Sequence, residues 1–380
     1  GPDFVMGPDA DPAVRNILGM IEKLGVDTGK TVIGARAAAH EIVKILGGKT
    51  IHMVTSIAGG VTKGVSVEER DRIVELAEKL LEFTKFTVKI VDDVVLANQA
   101  YLDLILSDAY THRFHSMGTV DENNQINFYD GQIRVVDVHG QEIVKYHSGD
   151  YLEHVAERVE KWSYLKFPYL KAKGWKGFNA GDNSGVYRAT PLSRLNASDG
   201  MATPLAQAEY ERFYETLTTD ASGRKPVHQT LATHWARVVE MVYAAERTLE
   251  LAKDDEILSD EIRTVPTAVP SVGIGSLEAP RGTLTHHYVT DERGILKQVN
   301  LVVGTTNNHA AICMSIKKAA KGLIKKGVEI TEGLLNQVEM AFRAYDPCFG
   351  CATHSLPGRM PLTVRLRAAD GTVLDEGGRH

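Results

Sequence analysis

The chain has 380 residues, enough for two or three domains or one large multi-lobed body with a sizeable core. Its 43% hydrophobic and 24% charged residues suit a globular protein, and a formal net charge of −6 argues against a general nucleic-acid or anionic-membrane binder. Three cysteines cannot form a disulfide framework, which points to a reducing compartment, and apolar runs such as "QVNLVVG" fall far short of a bilayer span.

The first hundred residues read as helices. "DPAVRNILGMIEKLG" sets Val14, Ile17, Leu18, Ile21 and Leu24 at helical spacing behind an Asp-Pro start and before a Gly stop. "VSVEERDRIVELAEKLLEFTKF" repeats the pattern, with Ser66 as N-cap, acids early and lysines late, and "VKIVDDVVLANQAYLDLILSD" continues it. The paired glycines of "GGKTIHMVTSIAGGVTKG" imply tight turns and close backbone approach between these helices. "QINFYDGQIRVVDVHGQEIVKYH" predicts a small antiparallel excursion, "DYLEHVAERVEKW" a return to helix, and residues 163–202 a long irregular stretch. Helices are expected in "PLAQAEYERFYETLTTD" and "VHQTLATHWARVVEMVYAAERTLELA". A loop "PTAVPSVGIGSLEAPRG" follows, then a hairpin of "TLTHHYVTD" and "GILKQVNLVVG". Two more helices, "NHAAICMSIKKAAKGLIKK" and "TEGLLNQVEMAFRAY", precede a β-like tail, "MPLTVRLRAADGTVLDEGG". The expected fold is mainly α and multi-helical, with small antiparallel β excursions near 112–147, 283–303 and 360–375. No alternating strand–helix rhythm suggests a doubly wound sheet.

Three short stretches carry chemistry. In "RAYDPCFGCATHSL", Cys348 and Cys351 stand as C-x-x-C, so both thiolates can reach one metal, with His354 on the same side. Thiolate pairs suit zinc, iron–sulfur, copper(I) or nickel. No second short-spaced pair completes a zinc site, residue 352 is Ala rather than a haem-type His, and the motif follows a helix rather than a strand. The pair is therefore either half of a metal site completed from elsewhere or two idle thiols. In "EAPRGTLTHH", Pro280 and Gly282 present Arg281 on a bend, either as a donor to an anionic ligand or in a salt bridge across a turn. His286 and His287 share a strand, one of them expected to be a satisfied core or interface histidine. In "VGTTNNHAA", Thr305 and Thr306 can cap a helix, or offer hydroxyls to an anion. Cys313, inside "AAICMSIKKAA", reads as a core cysteine.

Taken together, D-P-C-x-x-C-x-x-H, A-P-R-G-x-L-x-H and the hydroxyl-bearing strand-to-helix turn resemble the large subunit of nickel–iron hydrogenases. "GPDF", "HEIVKILGGKTIH…AGGVT" and "PLSRLNASDGMATPLAQAEYE" resemble the cytoplasmic group of that family, of the F420-non-reducing (viologen-linked) or NAD-linked type. The resemblance spans essentially the whole chain and implies an oxidoreductase acting on H2. It implies that Cys348 is a terminal nickel thiolate and that Cys351 bridges nickel to an iron holding cyanide and carbon monoxide. Arg281 would be poised over that pair with Pro280 beside it, and Thr305 would donate to a cyanide. Asp346 and Asp3 match acidic residues around the arginine, His354 a ligand of a structural magnesium, and His52 a residue facing the small subunit. Iron–sulfur clusters would sit only in that partner subunit, with further electron-transfer subunits beyond it; no nucleic-acid partner or membrane span is expected, and a cytoplasmic location is expected.

The sequence also departs from that pattern. The family's N-terminal Cys-x-x-Cys is absent, and residue 1 is Gly, so an N-terminally truncated or processed chain, incomplete by itself, is expected; no basic apolar leader opens it, and export is not expected. Residues 1–354 are expected to form the large-subunit domain, and 355–380 a C-terminal extension that a maturation protease removes. Two alternatives stay open: an inactive hydrogenase-like subunit of the quinone-oxidoreductase type, and a zinc or redox C-x-x-C protein of unrelated fold.

Overall fold

A computed structural model describes residues 2–218, 226–348, 362–368 and 370–379. The amino-terminal third is helical, as its periodicity predicts, with α1 (Pro2–Met6), α2 (Ile17–Leu24), α3 (Val26–Gly47) and α4 (Val67–Ile90). The Asp-Pro start does not open α2. Residues 11–15 turn, and Asn16 caps instead, accepting from Leu18 N at 2.9 Å and Gly19 N at 3.2 Å. Ser66 does cap α4, in a reciprocal box with Glu69. Between α3 and α4 the paired glycines form the turn of a two-residue hairpin, β1 (Ser56–Ile57) and β2 (Gly60–Val61). Gly59 has φ +85°, and a Cβ there would lie 1.7 Å from the Thr264 carbonyl. α4 runs on through a π-helical turn, Val91–Leu96, to α5 (Gln99–Leu106).

The middle of the chain builds a β layer. β3 (His115–Val120), β4 (Gln132–Val136) and β5 (Glu142–Tyr146) form the expected antiparallel excursion. The next segment departs from the helical reading. α6 covers only Tyr151–His154, and β6 (Val155–Val159) then pairs antiparallel with β7 (Lys166–Leu170). The β-branched ends of "VAERV" and the buried Val155 favour the ladder once β7 supplies a partner. Residues 163–202 are likewise more ordered than their turn residues suggest. β8 (Tyr187–Arg188) adds parallel to β3, and α7 (Pro191–Ala197) is buried along its whole length. α7 starts at a Thr190 cap with Pro191 at its first position.

The two long helices follow as α8 (Pro204–Leu217) and α9 (Thr233–Lys253). The expected loop at 266–282 is largely strand: β9 (Val272–Ala279) pairs with β10 (Gly282–Thr290), which pairs with β11 (Leu296–Val302), turning the predicted hairpin into a three-stranded sheet. Then come α10 (Gly304–Asn307), α11 (His309–Leu323), α12 (Glu332–Arg343) and a terminal hairpin, β12 (Leu362–Arg367) and β13 (Val373–Arg379). The main core gathers Phe4, Leu192, Phe213, Trp235, Val239 and Met340. Each such side chain contributes roughly 1.5–3 kcal/mol when fully buried. A second cluster, with Met117, Val135, Tyr187 and Ala189, glues the β layer, and a third joins Phe114 and Phe167 to Met314 and Tyr345. Among the described residues no helix is long and apolar enough to cross a membrane.

Candidate metal centre

The loop that presents Arg281 rests on a buried ionic floor. Arg194, in the middle of α7, has a side chain only 1% exposed. It grips the Glu240 carboxylate of α9 through two bonds of 2.6 Å and the Glu278 carboxylate of β9 at 2.8 Å. Glu278 is in turn saturated by Thr119 N, Thr119 Oγ1 and Thr283 Oγ1, each donating at 2.8 Å. Burial alone would push the Arg194 guanidinium down, but the two carboxylates more than reverse this and hold it charged. Its remaining hydrogens go to the Ala279 carbonyl at 2.6 Å and the Pro280 carbonyl at 3.3 Å. The buried network thus fixes the two residues that precede Arg281.

On the other side, Gly282 has φ +151°, and a Cβ there would fall 1.8 Å from the Ala189 carbonyl. Only glycine lets the loop lie this close to the end of β8. Asn308, fully buried, closes the arrangement. Its Nδ2 donates to the carbonyls of Gly304 at 2.8 Å, Ala189 at 3.0 Å and Arg281 at 3.5 Å, and its Oδ1 accepts from Ala189 N at 2.9 Å. The A-P-R-G bend and the "VGTT" turn, separate in sequence, are thereby packed together.

The third stretch meets them. Arg281 Nε donates to the Asp346 main-chain carbonyl and lies 3.4 Å from the Asp346 carboxylate. Asp346 has φ +54°, a left-handed conformation that an Asp tolerates at some cost, and it turns the chain out of α12 toward Cys348. Cys348 is half-buried, while Cys351 and His354 lie outside the described residues. Among the described residues no group of three His, Cys, Asp or Glu side chains gathers closely enough to hold a metal ion. Within the described chain the motif's first thiol, Cys348, follows two residues after Asp346, the residue that Arg281 meets.

Other expected residues fall less neatly. Asp3 is buried, but its partners are on α12: it accepts from Asn336 Nδ2 at 2.8 Å and lies 3.6 Å from Arg343. Its guanidinium neighbour among the described contacts is thus Arg343 rather than Arg281. Thr305 sits inside α10 rather than capping it; the cap position belongs to Val303, and no side-chain bond caps either α10 or α11. Pro280 is exposed. His52 is exposed, with φ +55°. His287 Nδ1 lies 3.0 Å from the Tyr151 hydroxyl, and His286 Nδ1 lies 2.7 Å from the Tyr288 hydroxyl. Cys313 packs at the edge of the Phe114–Phe167 cluster, where burial pushes its thiol pKa up.

Sequence reasoning passed over the residues that position the loop: Arg194, Glu240, Glu278 and Asn308. One signal was present, since "RATPLSRLNA" sets a charge in the middle of a short apolar run behind a Thr-Pro helix start, where an arginine needs a partner.

A family model described as nickel-dependent hydrogenase matches residues 31–354. The chain is 46% identical over 373 residues to an iron-sulfur subunit of the F420-non-reducing hydrogenase of Archaeoglobus profundus, covering 98% of this chain and 76% of that one. It is 38% identical to the NAD-reducing hydrogenase HoxS subunit beta of Cupriavidus necator, covering 100% of this chain and 75% of that one. The solved structure of an NAD+-reducing [NiFe]-hydrogenase in the H2-reduced state superposes with a TM-score of 0.82 at 33% identity, over 93% of this chain and 74% of that one. The chain belongs to the nickel-dependent hydrogenase family, as a large subunit. Its relatives are oxidoreductases acting on hydrogen, and the alternative of an unrelated C-x-x-C fold falls away.

Proposed function

We propose that this chain is the hydrogen-activating subunit of its enzyme and that the metal pair sits where the Arg281 bend meets the Cys348 segment. The observation that carries this is the Arg281–Asp346 contact, which brings A-P-R-G against D-P-C across 65 residues of chain. The donor chemistry fits, because a thiol at Cys348 with Cys351 following supplies soft thiolates suited to nickel. Cys348 and Cys351 would help hold a nickel–iron pair with cyanide and carbon monoxide on iron, which when bound would supply the polarisation of dihydrogen for heterolytic cleavage and a route for its electrons.

The chain's own residues do the rest. A thiolate of the cysteine pair or the Arg281 guanidinium manages the proton, and Asp346 holds Arg281 in orientation. Thr305 offers its hydroxyl, and Pro280 its ring, at the margin of the site; His354 serves a magnesium ion. Asp3 acts at one remove, through Arg343 and α12. Electrons leave for an iron–sulfur partner; the relatives' names, which describe them as parts of larger hydrogenases, support that role. His52 is exposed and available to face that partner. Residues 355–380 are a maturation extension, and the enzyme is cytoplasmic.

The test is Arg281→Lys in the assembled enzyme, measuring H2-dependent reduction of an artificial viologen acceptor. Lysine keeps the charge and loses the planar fork, so turnover should fall on the order of 10²-fold with nickel content unchanged. Turnover equal to that of the unsubstituted enzyme would contradict the assignment.

A further inference from the structure

Three consecutive residues leading toward Cys348 are each met by a different guanidinium. Arg237 of α9 donates to the Ala344 carbonyl at 2.7 Å, Arg188 of β8 lies beside the Tyr345 hydroxyl, and Arg281 holds Asp346. The Tyr345 hydroxyl also lies 2.9 Å from Ser315 Oγ. One of the three, Arg188, meets no carboxylate among the described residues, whereas Arg237 is favoured by the nearby Asp346 and Glu240 carboxylates.

Arg188 is 0% exposed, with its guanidinium 5.3 Å over the Phe114 ring. Nη1 is 3.4 Å from the Thr230 hydroxyl, while Nε and Nη2 have no hydrogen-bond partner among the described residues. Nor does Arg188 form a salt bridge with a carboxylate among them; the charged or titratable neighbours around it are Tyr345, His112 and His228. Both histidines are kept neutral, each pushed down to about 4, first by burial and next by Arg188 itself. Arg237 is half-buried, and its Nε is likewise without a partner. A buried cation that keeps its charge needs a counter-charge, because desolvation otherwise makes it strongly unfavourable. Guanidinium does not escape by deprotonation at neutral pH.

We propose that Arg188 is an electrostatic positioning residue whose counter-charge is the anionic thiolate–metal centre formed by the Cys348 segment. The inference rests on the site reading given above. Several thiolates on one divalent ion leave a net negative centre, and every electron added makes it more negative. A cation fixed nearby favours the electron-rich state. Removing that cation lowers the centre's midpoint potential. In the metal-free chain the same cation is uncompensated, so its removal leaves the fold as stable as before or more stable. A merely structural arginine gives neither result: its loss costs stability with or without metal.

The experiment compares wild type, Arg188→Met and Arg188→Lys, both as the nickel-loaded enzyme with its partner subunits and as metal-free chain. In the loaded enzyme, a redox titration of the nickel spectroscopic signal should show a lower midpoint potential for Arg188→Met and recovery toward wild type for Arg188→Lys. The metal-free Arg188→Met chain should melt at or above the wild-type temperature. An unmoved potential in nickel-loaded Arg188→Met, or a melting temperature of the metal-free chain several degrees below wild type, would overturn the inference alone. A wild-type enzyme that holds no nickel would overturn the site reading and this inference with it.

Discussion

Two buried arginines, one on β8 and one in the middle of α7, live in opposite surroundings. Arg194 is saturated: two carboxylates and two carbonyls take up its hydrogens, and the partners of its partners are themselves bonded. Arg188 has an aromatic face, the Thr230 hydroxyl at the limit of bonding distance, the Tyr345 hydroxyl and two neutral histidines, and no carboxylate among the described residues. The contrast separates two uses of buried charge. A closed network fixes geometry, here the approach of the Arg281 bend; an open one keeps a potential available for something that the polypeptide alone does not supply.

The largest effect that would sharpen the contrast is on the closed side. Arg194→Met strands Glu240 and Glu278 in a dry site, and breaking a buried pair from one side typically costs about 3–5 kcal/mol. Urea unfolding of the chain should show a loss of that order, and a loss within about 0.5 kcal/mol of zero would break the comparison.

The next effect is a pH dependence on the open side. The folded-state pKa values of His112 and His228, both about 4, lie below the unfolded value of 6.5, so the fold prefers the neutral rings. The unfolded chain binds these protons first. Their contribution is therefore present above about pH 6.5 and is lost as the pH falls toward 4, by roughly 3 kcal/mol or less for each ring. His112→Gln with His228→Gln should flatten the unfolding free energy over that interval relative to wild type. Equal slopes in the two proteins would remove the histidines from the account.

The smallest effect on stability is predicted at the meeting point of the two regions. Asp346 is exposed, and its pairing with Arg281 is solvent-screened, so Asp346→Asn should change stability by less than about 1 kcal/mol. Its hydrogenase turnover should nonetheless fall clearly, because Arg281 loses the carboxylate that aims it. Loss of stability without loss of turnover would reverse the assignment of that pair.

Local rules carried much of the fold. The Ser66 box, the helical periods of α4, α8, α9, α11 and α12, and the turn at Gly59–Gly60 can all be read from short windows, since the interactions that decide them are local. β6 and β9 could not be read that way. "VAERV" fits a helix as well as a strand, and "VGIGSLEA" looks like a loop until β10 supplies its partner. The same division runs through the site. Cys348, Arg281 and Asp346 lie in compact motifs that announce thiolate and guanidinium chemistry. Arg194 finds its carboxylates 46 and 84 residues away, and no window of sequence shows that pairing. The open environment of Arg188 is still less visible, because it consists of partners that are not there among the described residues.

The most direct measurement is the metal content of Cys348→Ser beside the unsubstituted enzyme, purified from a host that matures hydrogenases. The account predicts nickel and iron in the unsubstituted enzyme and no retained nickel in the serine variant. Full nickel in Cys348→Ser, or zinc in place of nickel in both proteins, would contradict it.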